Sequence, residues 1–236
     1  RNFRNFRKKP LDILLEITAN VSVVYLMFHL LWAFNYYRLP LHRALGIENE
    51  YSYEQLLKTT EEFIERSNAL HSRLSSVDSL PVSSPYSQKE LFSLASGGYQ
   101  NLQKDFPKLS YEPKSIKKSL WSLPLTYMGY SGYLNPFSGE AQVNAKIPGY
   151  KFAVVVCHEE AHQIGFAAEN EANFIAVLAT LYNDDLYIRY TGSIFALRYL
   201  LADVARNNMD DFERLRETIR PGILENYREM DRFWDA

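Results

Sequence analysis

The stretch His158-Glu159-Glu160-Ala161-His162 constrains this chain more than any other. Two histidines four residues apart leave one face of an α-helix a single turn from each other. Two neutral imidazoles aimed at one point supply two of the ligands that a tetrahedral Zn²⁺ requires. Glu159, about 100° around the helix from His158, then stands beside the metal, where a general base takes a proton from water. Val154, Val155 and Val156 make an apolar lead-in that carries the histidines into the interior, and Gly165 offers a C-terminal stop. A second helical pattern follows at Ala172, Ile175, Ala176 and Ala179, with Glu171 on its first turns and able to fold back toward the histidines. A buried carboxylate is costly unless paired or metal-bound, which favours Glu171 as third ligand and leaves Glu169, in the same turn region, as the alternative. Glu160 is expected to face solvent without a role. Cys157 is expected to be a buried structural thiol, because neighbouring positions on a helix do not face each other.

The His-Glu-x-x-His run followed by Glu171-Ala172-Asn173 resembles the zincin metallopeptidases whose third ligand is glutamate, a layout shared by thermolysin-like enzymes. The Glu-Ala-Asn helix is more similar to peptidases of the ImmA/IrrE type. Three stretches together resemble a bacterial membrane family of unknown function, domain-of-unknown-function family 3810. They are Trp32-Ala33-Phe34-Asn35-Tyr36-Tyr37-Arg38, Gly132 through Ala141 (Gly-Tyr-Leu-Asn-Pro-Phe-Ser-Gly-Glu-Ala), and Cys157 through Phe174. Ala33 stands where glycine is usual in that family, and Glu160 where an apolar residue is common; neither touches the expected ligands. The resemblance implies an α+β, mostly helical, zincin-like domain with a short β-hairpin, a Zn²⁺ cofactor, a peptide or protein substrate, and a place in the bacterial inner membrane.

Residues 17–37 carry no Asp, Glu, Lys or Arg, and nine of the eighteen positions from Ile17 to Phe34 are Leu, Ile, Val or Phe. At hydrocarbon depth those side chains favour insertion by about 3 to 5 kcal/mol, against Thr18, Asn20, Ser22 and His29. The length fits a bilayer span, with Trp32, Tyr36 and Tyr37 as an interfacial belt. The competing expectation is a buried core helix. Arg1, Arg4, Arg7, Lys8 and Lys9 precede the span and only Arg38 and Arg43 closely follow it, which puts the N-terminus in the cytoplasm and the histidine-bearing domain outside. A first residue of Arg1 suggests a piece of a longer chain. The formal net charge of −2 gives no reason to expect nucleic acid, and a single cysteine excludes an internal disulfide framework.

The expected organisation is a basic flank and membrane helix over 1–37, then a metallopeptidase domain over 38–236. Within it, residues 38–120 read as helical, with capping boxes at Ser52/Gln55 and Ser87/Glu90 and a Ser/Pro-rich linker from Ser75 to Pro85. Gly97-Gly98 should weaken or bend the second of these helices. Lys114, Lys117 and Lys118 read as a solvated patch. Residues 123–147 read as a hairpin with strands Leu125–Tyr130 and Glu140–Asn144 about the turn Asn135-Pro136-Phe137-Ser138-Gly139. The zincin resemblance implies that Glu140, Ala141, Gln142, Val143 and Asn144 pair with an extended substrate. Metal-site helices should occupy 151–183 and further helices 187–236, with Pro221 in the first turn of the last. Tyr190, following the Glu171 helix, is a candidate oxyanion stabiliser.

These readings combine into metal-assisted hydrolysis of a peptide bond, with His158, His162 and Glu171 holding Zn²⁺ and Glu159 as general base. A di-iron carboxylate bundle needs two Glu-x-x-His copies, whereas Glu159/His162 is the single copy in the sequence. A non-catalytic, zinc-braced, membrane-anchored interaction protein is the remaining alternative. Glu159 argues against it, because a structural zinc site has no use for a base and tends to be closed by a fourth ligand.

Overall fold

The structure is a computed structural model that describes residues 9–112 and 115–236; Arg1, Arg4, Arg7, Lys8 and Lys114 lie outside the described residues. It is mostly helical with one small sheet. In chain order the elements are α1 (Pro10–Leu31), α2 (Leu41–Leu45), α3 (Tyr53–Leu74), α4 (Gln88–Asp105), β1 (Ile116–Lys118), α5 (Ser122–Tyr127), β2 (Gly132–Leu134), β3 (Ala141–Val143), α6 (Gly149–Gln163), α7 (Glu169–Leu181), α8 (Leu186–Asn207), α9 (Met209–Glu217) and α10 (Pro221–Asp235).

The helix starts follow the local chemistry. Both capping boxes form: Ser52 accepts from the Gln55 N–H while Gln55 reaches back to the Ser52 N–H, and Ser87 and Glu90 do the same. Such caps satisfy donors that a helix terminus leaves without partners. Pro221 sits in the first turn of α10, and the Ser/Pro-rich connection from Ser75 carries no helix before Gln88. Asn208, which the sequence reading passed over, breaks the C-terminal helical run by accepting from the Asp210 and Asp211 N–H groups.

The centre of the molecule is α6, packed against α4, α7, α8 and the sheet. Phe152, Ala153, Val154, Val156, Cys157 and Ala161 are almost wholly buried, so this helix has little solvent-facing side. That corrects the expectation for Glu160. Its carboxyl is buried against α4, hydrogen-bonded to Ser96, and one oxygen has no partner among the described residues. Burial pushes its pKa up to about 8. Cys157 is buried as expected, and burial raises its thiol well above the usual range.

The sheet order is β1-β3-β2, with β1 parallel and β2 antiparallel to β3. The turn Asn135–Gly139 connects β2 and β3 as its residues suggest: Asn135 accepts from the Phe137 N–H and Gly139 takes φ 68°. The first expected strand is wrong, because Leu125–Tyr130 falls on α5 and the turn after it, and the strand itself is Gly132–Leu134. Thr126 and Ser122 hydroxyls, tied to Asn144 and Ala145, seat that short helix on the end of β3. The second correction concerns Glu140 to Asn144. Strand β3 is central, paired on both sides, so it presents no edge to a substrate; the outer edge of β2 pairs with no strand among the described residues.

Helix α1 is long and apolar enough to cross a membrane, with mean hydropathy 1.7 in its most apolar window. No residue in it is buried, so it takes no part in the core formed by the described residues. The helix ends at Leu31 and Ala33–Tyr37 forms a 3₁₀ turn, so the apolar segment starts and stops earlier than residues 17–37.

Helix α4 is unbroken through Gly97-Gly98. A Cβ on Gly98 would overlap the carbonyl of Ala179 in α7, whereas one on Gly97 would meet only Asn183 at 3.9 Å. Gly98 therefore serves a close helix crossing rather than a bend. Gly98→Ala should destabilise by about 1–3 kcal/mol, while Gly97→Ala should stabilise by roughly 0.5–1 kcal/mol. Denaturant midpoints of the detergent-solubilised protein separate the two; equal shifts would mean the crossing tolerates a methyl.

Candidate metal centre

His158 and His162 lie one turn apart on α6, and their Nε2 atoms are 3.1 Å from each other. Each ring uses its other nitrogen elsewhere. His162 Nδ1 donates to the Phe166 carbonyl at 2.7 Å, and His158 Nδ1 contacts the Asn173 side-chain oxygen at 3.0 Å. Those partners orient the two rings and turn both Nε2 atoms toward a common point.

Phe166 reaches that position because the chain reverses at Gly165 (φ 92°), where the Phe166 N–H also bonds back to the Ala161 carbonyl. A side-chain-bearing residue is strained there. The third group is Glu169. Its two carboxylate oxygens lie 3.1 Å from His158 Nε2 and 3.6 Å from His162 Nε2. Hydrogen bonds to His158 and then His162 hold this carboxyl well below the usual range. Burial works against charge on His162, but its bond to Glu169 and the nearby Glu159 carboxylate outweigh it, and its pKa is raised.

Glu171 is not part of this group. Its carboxylate accepts the Leu41 backbone N–H at 2.6 Å, at the start of α2. The reason is helical geometry: α7 starts at Glu169, and two residues on is about 200° around the axis. Asn173, four residues after Glu169, shares its face instead. The spacing Glu169-x-x-x-Asn173 was therefore the signal in the sequence, masked by the adjacent Glu171-Ala172-Asn173 triplet. Tyr190 is also elsewhere. It is buried in the core with its hydroxyl donated to Asn226 and its ring near His71, and burial pushes its pKa up.

His158, His162 and Glu169 offer donor atoms all within 4.8 Å of one another. Two imidazole nitrogens at about 2.0–2.1 Å from a tetrahedral zinc would stand ~3.3 Å apart, close to the separation of these two. The residues fit the ion. Beside them Glu159 is almost fully buried, and its Oε2 has no partner among the described residues. Burial, with the charge of Glu169, pushes its pKa up to about 8 against the favourable pull of His162. A Cβ at Gly132 would run into this carboxylate, so the glycine that starts β2 makes room for it.

Glu159, His158 and Glu169 line a cavity of about 250 Å³ with Tyr130, Lys151 and Asn173. Lys151 was not singled out by the sequence; its ammonium is held by Ser131, and burial lowers its pKa. A second, apolar groove of about 580 Å³, with Phe63, Phe174, Val177 and Leu200 in its walls, shares Glu169 and Asn173 with the first.

The segment after α1 closes the site from the other side. The Trp32 ring packs edge-on to His162 at 5.9 Å. Arg38 donates to the Ile164 carbonyl at 2.6 Å and lies 4.7 Å from the Phe166 ring centre.

A family described as "Protein of unknown function (DUF3810)" matches residues 1–236. No curated protein matches, and no solved structure matches.

Replacing Glu169 by Ala should drop the zinc content of the purified chain from about one ion to well below it, as three ligands define the site. Glu171→Ala should keep its zinc. Elemental analysis of both variants checks this, and the opposite pattern would return the third position to Glu171.

Proposed function

The chain belongs to the DUF3810 family of unknown function, so its site carries the reading, and we propose that it is a membrane-tethered, zinc-dependent metallopeptidase. The observation that carries this is a buried carboxylate without a partner, Glu159, beside three convergent metal-type donors, His158, His162 and Glu169. A zinc ion held there would act as a Lewis acid and bring the pKa of a water to about 7.

Glu159 takes a proton from the attacking water and passes it to the leaving amine. The peptide C–N bond breaks, hydroxyl joins the carbonyl carbon and the amine leaves with the added proton. His158 and His162 keep their orientation through Asn173 and the Phe166 carbonyl. The apolar groove beside Glu169 favours substrates with apolar residues near the cleaved bond. The outer edge of β2 replaces residues 140–144 as the strand on which an extended peptide pairs, since backbone pairing needs only an open edge.

Glu159→Gln preserves volume and donors while removing the proton acceptor. Cleavage of a broad peptide library should fall about 10²- to 10⁴-fold with zinc content near wild type, and 1,10-phenanthroline should abolish wild-type cleavage. Wild-type activity in Glu159→Gln would sink the peptidase reading and leave a zinc-braced binding protein.

The basic residues before α1 favour a topology with the N-terminus in the cytoplasm of a bacterial cell and the metal centre on the outer side of the inner membrane. Fusions after Ala236 should be active with a periplasmic phosphatase reporter and silent with a cytosolic one; the reverse result would invert the topology.

A further inference from the structure

The anchor and the metal centre are joined by a short, fixed connection. Helix α1 has 22 residues, about 33 Å at 1.5 Å per residue, which matches a hydrocarbon core of about 30 Å. Its last residue is Leu31, and the next, Trp32, is of the type that settles at the membrane–water boundary. The same Trp32 ring touches the ring of His162. Asn35 and Arg38 then fill the space above Gly165, where a Cβ would run into both side chains. The metal centre is thereby fastened next to the bilayer end of α1, with no slack chain between them.

The open edge of β2 starts from the same place. Leu134 and the turn Asn135–Gly139 border a cavity of about 430 Å³ whose other wall includes Leu31 and Trp32. Phe137, at the tip of that turn, is half-exposed. The other end of the strand, Gly132, abuts Glu159. An extended chain lying along β2 would thus run from the end of the membrane helix to the general base.

We propose that this site acts on polypeptides anchored in the same bilayer and cuts them about three to six residues from the membrane surface. The inference rests on the peptidase reading above. The number follows from the geometry: Gly132 to Asn135 spans about 10 Å at ~3.3 Å per residue, or three residues of a paired chain. A few more are needed to leave the headgroup region. A substrate further from its own anchor gains nothing from the tether, whereas one held at this height meets the cleft already aligned.

The test uses the full chain with zinc in vesicles. The substrate is a transmembrane anchor followed by a long repeat of one cleavable sequence, compared with the same repeat as a soluble peptide. Mass spectrometry of the products should find cuts clustered three to six residues from the anchor, at a rate at least tenfold above that of the soluble repeat. Cuts spread evenly along the repeat, or equal rates for both forms, would overturn the proposal while leaving the peptidase reading intact. Failure of the zinc-loaded protein to cleave either form would remove both.

A ten-residue Gly/Ser insertion between Leu31 and Trp32 separates position from chemistry. Such a linker reaches roughly 17 Å, so the cut cluster should move outward by about five residues with soluble cleavage unchanged. A cluster that stays in place would show that sequence, not height above the membrane, selects the bond.

Discussion

Two imidazole lone pairs facing each other at 3.1 Å repel unless a proton or a cation lies between them. The surrounding structure enforces that arrangement instead of relieving it. Helix α6 is buried on nearly every side, His162 with it, while His158 borders the cavity. Asn173 and the Phe166 carbonyl take up the Nδ1 positions that would otherwise allow a ring to flip. The Gly165 reversal, the start of α7 and the docking of Trp32 each serve to bring these partners into place. Glu169 faces both rings, one carboxylate oxygen toward each Nε2.

Four glutamates fall between residues 159 and 171, and their environments give them four different roles. Glu159 is enclosed with one free oxygen, Glu160 is enclosed against Ser96, Glu169 faces the imidazoles, and Glu171 ties α7 to the first residue of α2. Nothing in their order along the chain distinguishes these roles. Burial governs the first two, hydrogen bonds to His158 and His162 the third, while the fourth accepts a backbone N–H. The assignment is a property of what packs around α6 and α7.

That division also marks where the sequence was legible. The histidine spacing, both capping boxes, the Asn135–Gly139 turn and the buried face Ala172-Ile175-Ala176-Ala179 rest on interactions within a few residues, and each appears as read. Several errors involve distant partners, whereas the strand expected at Leu125–Tyr130 and the choice of Glu171 over Glu169 were local misplacements. Glu160 looked exposed because the helix was imagined with one wet side, whereas α4 covers it. Residues 140–144 looked like an edge because β1, 25 residues earlier at Ile116, gave no strand signal of its own. Tyr190 seemed near the metal by position in the chain, yet α8 turns its phenol toward Asn226 on α10. Glu169 lost to Glu171 only because the start of α7 was placed too loosely, and one residue of helix phase is 100°.

The contact between the membrane segment and the metal loop is also strong enough to matter. A hydrogen bond from a charged donor such as Arg38 to a carbonyl contributes about 1.5 kcal/mol at the low end, and an exposed cation–π contact another 0.5–1 kcal/mol. Together, about 2 kcal/mol favours the docked state over a swinging one by roughly 30-fold. Packing of Trp32 on His162 adds to this without requiring any further polar pairing. A segment held in one orientation keeps the end of α1 at a constant distance and angle from the cleft. A segment of the same length without these contacts would leave that distance and angle unfixed. The contacts themselves lie on Trp32 and Arg38, downstream of α1, and they border His162, the Ile164 carbonyl and the Phe166 ring. One set of contacts thus fixes the segment after α1 against the loop that carries the Phe166 carbonyl.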